Sequence, residues 1–469
     1  MNPSSRRTVL KAGVAAGALG GLGVIGALSA RMPAEAGPPA SAPQVPAAGH
    51  TSWANWSGIQ NCNPVAIATP ESEAAISTLL RQPGSVRCVG AGHSFTALVP
   101  TDGVILSLDK MAGIVGHDGP LVRLKAGTRL AQLTRELDAL GLAMHNQPDI
   151  DAQSFAGAIS TATHGTGREL QALHAKVKAL RLVLPSGEAL DIDESQPDML
   201  AAARVSLGSL GVISEVTLET MPLYHLKRKV WLEPLEDMLQ HAEQLAASHR
   251  HFEFYYLPFT GYAAAITHDL TDDTRAEHSP SGDEAMLRDL RQLRDWCGRF
   301  PAMRRWLAQK LIDPAQTETA QDASWRLLST SRPTRFNESE CHVPREQGIA
   351  CVREVIQMLE KRNDVFFPLE FRFVKEDDAF LSPFYQRPSC SIAVHAAAGE
   401  AWNYLVSDIA PVFRRHEGRP HWGKLHAHQA VDFAGLYPRW KDFLAIRAQC
   451  DPQGRMLNPH LRQVFGVSA

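Results

Sequence analysis

The sequence predicts an α+β fold of two domains, and three observations carry that expectation. At 469 residues the chain exceeds what one ordinary hydrophobic core supports. Strand-like and helix-like stretches alternate without the regular repeat of a doubly wound sheet. Near Met221 the texture changes, from short strands and glycine-rich turns to longer apolar-aromatic strands separated by charged helical stretches. The composition is 44% hydrophobic and 21% charged with a formal net charge of −3. That is the balance of a globular protein, without the basic excess that would hold nucleic acid.

The N-terminus differs in kind. Ser5-Arg6-Arg7-Thr8-Val9-Leu10-Lys11 precedes an Ala/Gly-rich apolar run from Ala12 to Ala30, the pattern of a twin-arginine export signal. A membrane-spanning helix needs about 20 strongly apolar residues, and this run is diluted by Gly13, Gly17, Gly20, Gly21, Gly23 and Gly26. Ala34-Glu35-Ala36 offers a small-x-small cleavage site. Residues 1–36 are therefore expected to be a signal peptide and 37–48 a Pro/Ala-rich leader. The expected partner is the twin-arginine export machinery, the expected location the periplasm or cell envelope, with no stable membrane span after processing. Because this route carries proteins already folded, a cofactor loaded before export is expected. The seven cysteines are scattered with no Cys-x-x-Cys pair, which indicates neither a zinc site nor a disulfide framework.

Along the mature chain, an apolar strand over Val86–Val89 runs into Gly90-Ala91-Gly92-His93-Ser94, and Val104–Leu108 follows the turn Pro100–Gly103, so the pattern is strand-turn-strand. After a strand over Leu121–Ala126, Leu130, Leu133, Leu137 and Leu140 recur at helical spacing, and Gly141 ends the helix. Gly, Thr and Ser dominate Ser154–Gly167. Strands are expected at Ala179–Leu184, Gly211–Glu219, Phe252–Tyr256, Phe366–Val374 and Ser391–His395, and a helix over Glu284–Arg299.

A Gly-x-Gly turn lets backbone N–H groups approach an anion because no Cβ intervenes. A glycine turn between strands requires the same residues, and Phe95 stands where the third glycine of a dinucleotide fingerprint belongs, which disfavours a Rossmann site. In Pro368-Leu369-Glu370-Phe371-Arg372, alternation places Glu370 and Arg372 on one face of a strand, able to reach one ligand together or to pair with each other. His421, Lys424, His426 and His428 cluster in sequence, yet no acidic or cysteine ligands accompany them, and no metal is expected.

Five stretches, in order, resemble the FAD-linked aldonolactone and alditol oxidases (D-arabinono-1,4-lactone and L-gulono-1,4-lactone oxidases) of the vanillyl-alcohol oxidase superfamily. They are Trp53–Gly58, Val89–Phe95, Ala156–Gly167, Arg419–Lys424 and Asp451–Asn458. The resemblance implies a PCMH-type FAD-binding domain over 49–221, rejoined by the tail 431–469, and an α+β substrate cap over 222–430. It implies that Val89, Gly90, Ala91, Gly92, His93 and Ser94 hold the FAD pyrophosphate, with His93 bonded covalently to the flavin 8α carbon. Gly157, Ser160, Thr161, Thr163, His164, Gly165 and Gly167 would form the second wall, with Ile213 on the same site; for His164 a hydrogen-bonding role is favoured over a catalytic one. Glu370 and Arg372 would contact substrate hydroxyls. Lys424, desolvated beside Arg372, would act as base or electrostatic anchor. Pro148 occupies the position that gates oxygen in the superfamily and favours an oxidase. Asp149 replaces a substrate-contacting serine of alditol oxidases, and His395 a threonine, which tilts the expectation toward a sugar 1,4-lactone. The expected reaction is oxidation of a CH–OH group with O₂ as acceptor. Its rivals are an alditol oxidase, a dehydrogenase passing electrons to a quinone or cytochrome, and a carbohydrate-binding protein on a degenerate oxidase scaffold.

Overall fold

The computed structural model describes residues 51–277, 283–329 and 333–468; the export signal and leader expected over 1–48 lie outside the described residues. The first part of the chain builds two sheets. Ala66–Ala68, Val104–Ser107 and Val86–Val89 form a three-stranded sheet in that order, and all pairing in it is parallel. Residues 90–103 are therefore a crossover and not a hairpin, which leaves Gly90–Ser94 standing at the end of its strand. Beside it, Ala189–Asp193, Val177–Val183, Val212–Glu219, Leu121–Lys125 and Ile114–Asp118 form an antiparallel sheet of five.

The helix Leu130–Ala139 buries Leu130, Leu133 and Leu137 as its spacing predicts, whereas Leu140, expected on the same face, caps the helix and is exposed because the last turn ends before it. Gly141 follows at φ +71°, a backbone state that suits glycine. The C-terminal helices Ala430–Leu436, Trp440–Cys450 and Pro459–Phe465 send Phe433, Trp440, Phe443 and Phe465 into the same core. Arg87, fully buried, ties tail to sheet by donating to the carbonyls of Leu98, Leu207, Gly208 and Met456.

The rest of the chain folds around one eight-stranded sheet. Its order is Thr317–Ala323, His225–Pro234, Tyr262–Thr271, His251–Leu257, Leu369–Val374, Ser389–Ala397, Phe336–Pro344 and Arg419–Pro420. The central strand begins at Leu369, three residues later than the apolar run suggests. One face carries Phe254, Phe371, Ile392 and Val343, which pack with helices Leu235–Ser248 and Gly348–Leu359 into a second core. The other face turns toward the glycine-rich loops of the first unit: Gly167 N–H donates to Phe373 O at 2.8 Å. Both faces of Phe336–Pro344 and Ser389–Ala397 are covered, so every residue in these strands is buried. The expected helix over Glu284–Arg299 is found at Asp283–Cys297 and turns back as Pro301–Leu311. Among the described residues no helix is long and apolar enough to cross a membrane.

Candidate active site

The glycine turn and the glycine-rich run meet backbone to backbone. A Cβ on Gly90 would lie 2.2 Å from Ser154 Oγ, and one on Gly157 2.9 Å from the same atom; both distances are below any real Cβ contact. Gly92 adopts φ +68°. Val89, Gly90, Ala91, Gly92, His93 and Ser94 on one side, and Gly157, Ser160, Thr161 and Ile213 on the other, line one groove. At Gly90, Gly92 and Gly157 the lining has no side chain, so main-chain N–H groups there can meet an anionic diphosphate. The Thr161 hydroxyl, expected to face the cofactor, is bonded instead to the carbonyls of Gly157 and Ala158 at 3.2 and 3.4 Å. Gly165 and Gly167 do not line the groove. A Cβ on Gly165 would strike Gln147 O at 2.2 Å, so these two glycines serve close packing of loop on loop and loop on sheet.

His93 lies where this groove opens into a second pocket. Its ring stacks on Trp56 with centroids 5.0 Å apart. Burial, reinforced by Lys424 and Arg129, pushes its pKa down to about 4, which leaves the imidazole neutral with a nucleophilic lone pair at ordinary pH.

Strand register builds the second pocket. Glu253 pairs with Arg372 and Tyr255 with Glu370; Arg372 pairs with Ser391 and Glu370 with Ala393; His342 pairs with Ser391, Glu340 with Ala393 and Glu338 with His395. Directly opposed residues share a face, so all these side chains project from one side of the sheet. Pro148, Asp149, Thr163, His164 and His421 close the pocket from the loops.

The charges correct the sequence expectation of one carboxylate and two cations. Arg372, 6% exposed, donates from Nε to Glu253 at 2.7 Å and from Nη2 to Glu370 at 2.5 Å, and Asp149 shares that Nη2. Burial disfavours the guanidinium charge, yet Asp149, Glu370 and Glu253 more than offset this and hold its pKa well above the usual value. Tyr255 Oη, with its single proton, donates to Glu370 and lies 3.1 Å from Asp149 Oδ2. Lys424 is not a bare lysine beside Arg372: its ammonium donates to Glu338, with Glu340 Oε2 3.9 Å away. His395 Nε2 stands 3.7 Å from Glu338, and Nδ1 donates to Pro368 O at 3.2 Å.

His164 links the glycine run to the sheet. Its ring nitrogens face Gly165 O at 2.7 Å and Glu340 Oε1 at 2.9 Å. Glu340 also accepts from Ser391 Oγ at 2.5 Å. Burial pushes the Glu340 carboxyl up, but His164, His421 and Lys424 outweigh it and hold the group well below the usual carboxylate range. The histidines expected together in sequence separate: His421 lies near His164 and His342, while His426 and His428 pack beside Phe433. Two groups among the described residues bring candidate ligand atoms within 4.8 Å, His164/Glu340/His342 and Asp149/Glu253/Glu370. The second already encloses Arg372, and Glu340 in the first already serves His164 and Ser391.

Glu253, Tyr255, Glu338 and Glu340 were absent from the sequence reading. A signal for two of them exists: Glu338, Glu340 and His342 alternate along an otherwise apolar strand, and carboxylates at such spacing in a buried strand require partners.

A family model described as FAD binding domain matches residues 64–193, and one described as D-arabinono-1,4-lactone oxidase matches residues 216–464. L-gulono-1,4-lactone dehydrogenase of Mycobacterium tuberculosis is 37% identical over 425 residues, 88% of this chain and 99% of that one. L-gulonolactone oxidase of Bos taurus is 30% identical over 88% of this chain and 97% of its own. Among solved structures, a solvent-stable cholesterol oxidase superimposes with TM-score 0.73 at 16% identity, covering 88% of this chain and 97% of that one; this likeness speaks for the fold alone. The two-unit α+β fold, the main-chain cradle and the polar sheet face define an FAD-dependent oxidoreductase acting on CH–OH groups. The chain belongs to the D-arabinono-1,4-lactone oxidase family.

Proposed function

We propose that this enzyme oxidises a secondary alcohol of a sugar 1,4-lactone and passes the electrons to O₂, with FAD tethered to His93. The observation that carries the substrate reading is the row of hydrogen-bonding groups on one sheet face, Glu370, Arg372 and His395, facing the His93 loop across a small pocket. When bound, FAD supplies the two-electron acceptor. The chain's own residues orient the substrate: Arg372 donates to ring and hydroxyl oxygens, and Glu370 and Asp149 accept from hydroxyls. Lys424, held between Glu338 and Glu340, acts as a charged anchor for the developing alkoxide, which leaves Glu338 and Glu370 as acceptors for the hydroxyl proton. The four carboxylates that line the pocket, Asp149, Glu338, Glu340 and Glu370, suit a neutral lactone and repel an aldonate anion. Support for the lactone comes also from relatives named for L-gulono-1,4-lactone.

Pro148 lies on the pocket wall, and the resemblance, in which this position gates oxygen, is what supports O₂ as acceptor. We further propose that residues 1–36 direct twin-arginine export of the loaded enzyme to the periplasm; a fusion of these residues to a folded reporter that stays in the cytoplasm would refute this. For the reaction, L-gulono- and D-arabinono-1,4-lactone and a panel of alditols are mixed anaerobically with the enzyme and the flavin absorbance followed. Bleaching by lactones, with rapid recovery on admitting air, is the expected result. Bleaching only by alditols overturns the substrate reading, and recovery only with a quinone or cytochrome overturns the acceptor.

A further inference from the structure

The helical hairpin of the cap, Asp283–Cys297 and Pro301–Leu311, is apolar on two sides. Its inner side buries Leu293, Cys297 and Ala308 against Leu307. Its outer side presents Trp296, Phe300, Met303 and Trp306 at 62, 61, 42 and 59% exposure. Trp296 and Phe300 stand at the turn, and Met303 and Trp306 follow along the first half of the second helix. Three aromatic side chains and a methionine exposed to this degree leave on the order of 400 Å² of apolar surface open, the size at which a patch on a monomer signals contact with something else.

The charge around the patch says what that is. Between Arg288 and Lys310 there are seven Arg and Lys residues and two Asp, in a chain whose formal net charge is −3; Arg304 is buried and donates to the Val365 carbonyl, which leaves six at the surface. Arg291 and Arg294 hold Glu400, and Arg305 holds Glu360. Arg299, in the turn itself, and Lys310 are exposed. Trp and Phe at the tip with cations behind them form the pattern of a segment that lies in a bilayer interface, rings at the acyl boundary and cations at the headgroups. A second copy of the chain meets this pattern poorly, because apposed patches would bring the two cationic rims together.

We propose that the hairpin tip docks the enzyme onto an anionic phospholipid surface, lying on the bilayer without spanning it. The full-length mature enzyme is floated with vesicles of phosphatidylcholine alone, and of phosphatidylcholine with phosphatidylglycerol, at low and high salt. The wild type is expected to float with the anionic vesicles at low salt and to be released by high salt. The triple variant Trp296→Ser/Phe300→Ser/Trp306→Ser is expected to partition at least about tenfold less, since binding scales with inserted apolar area, while oxidising soluble substrate at the wild-type rate. All three residues are exposed, so the variant retains its core. Three results overturn the proposal: a wild type that stays with the unbound fraction, a triple variant that floats equally well, or a wild-type dimer that the triple variant converts to monomer without either protein floating.

Discussion

Replacing Arg372 by methionine tests whether one guanidinium holds the carboxylate face of the sheet together. Arg372 is buried and engages Glu253, Glu370 and Asp149, whose oxygens lie within 4.8 Å of one another. Methionine supplies similar bulk without charge, so the variant confines three like charges with no counter-ion. Each of the three pairs repels by about 3 kcal/mol at an effective dielectric of about 20, uptake of one proton leaves a single pair charged, and removing one partner of a buried pair costs about 3–5 kcal/mol. The two routes agree, and Arg372→Met is expected to lose about 3–5 kcal/mol at pH 7. The carboxylates of the variant gain protons in the folded state more readily than in the unfolded chain, where they titrate near pH 4. The folded variant therefore binds more protons, its deficit grows as pH rises above that range and narrows as pH falls toward it. Urea midpoints of both proteins at pH 7 and pH 5 measure the effect. Adding Glu253→Gln to the variant should recover part of the loss at pH 7. A wild-type midpoint for Arg372→Met at pH 7, or a deficit that widens on acidification, refutes the electrostatic account of this cluster.

Three further outcomes are expected. His93→Ala should release its flavin on acid precipitation while the wild type keeps it bound to the protein pellet; retention in the variant would place the tether elsewhere. Gly90→Ala forces its Cβ against Ser154 Oγ, an overpacking worth about 1–3 kcal/mol, and the flavin-to-protein ratio at purification should fall; full occupancy would show that the two loops part easily. Burial depresses the pKa of His93 and His428 to about 4 and of His268 and His421 to about 3. The unfolded chain protonates these near 6.5 and the folded protein does not, so stability should drop as pH falls from 6.5 toward 4, by about 1.4 kcal/mol per pH unit for each histidine. Urea midpoints of the apoprotein that stay level between pH 7 and pH 5 would contradict this.

The sequence carried those parts of the molecule that depend on local order. The leucine spacing of 130–137, the paired projection of Glu370 and Arg372, and the glycine turn before His93 are each written within a dozen residues, and each appears where expected. The residues that set the electrostatics are not local. Glu253 meets Arg372 across a separation of 119 residues, and Lys424 meets Glu338 across 86. Such encounters follow from strand order and register, which hydrophobic pattern leaves open. For the same reason Lys424 read in isolation suggested a desolvated base, whereas the neighbouring strand supplies its carboxylate. The parallel pairing of Val86–Val89 with Val104–Ser107 was hidden too, because the turn Pro100–Gly103 before the second strand is equally compatible with an antiparallel pair.

Because the groups facing the pocket stand on adjacent strands of one hydrogen-bonded sheet, their anchor points form a lattice, about 4.8 Å from strand to strand and about 6.8 Å along each strand. Backbone hydrogen bonds keep that pitch fixed while the pegs can be exchanged. Relatives on this scaffold can thus turn from one polyhydroxylated ligand to another by swapping single side chains at set coordinates, without reshaping a loop, and each swap alters the charge felt by every neighbouring peg.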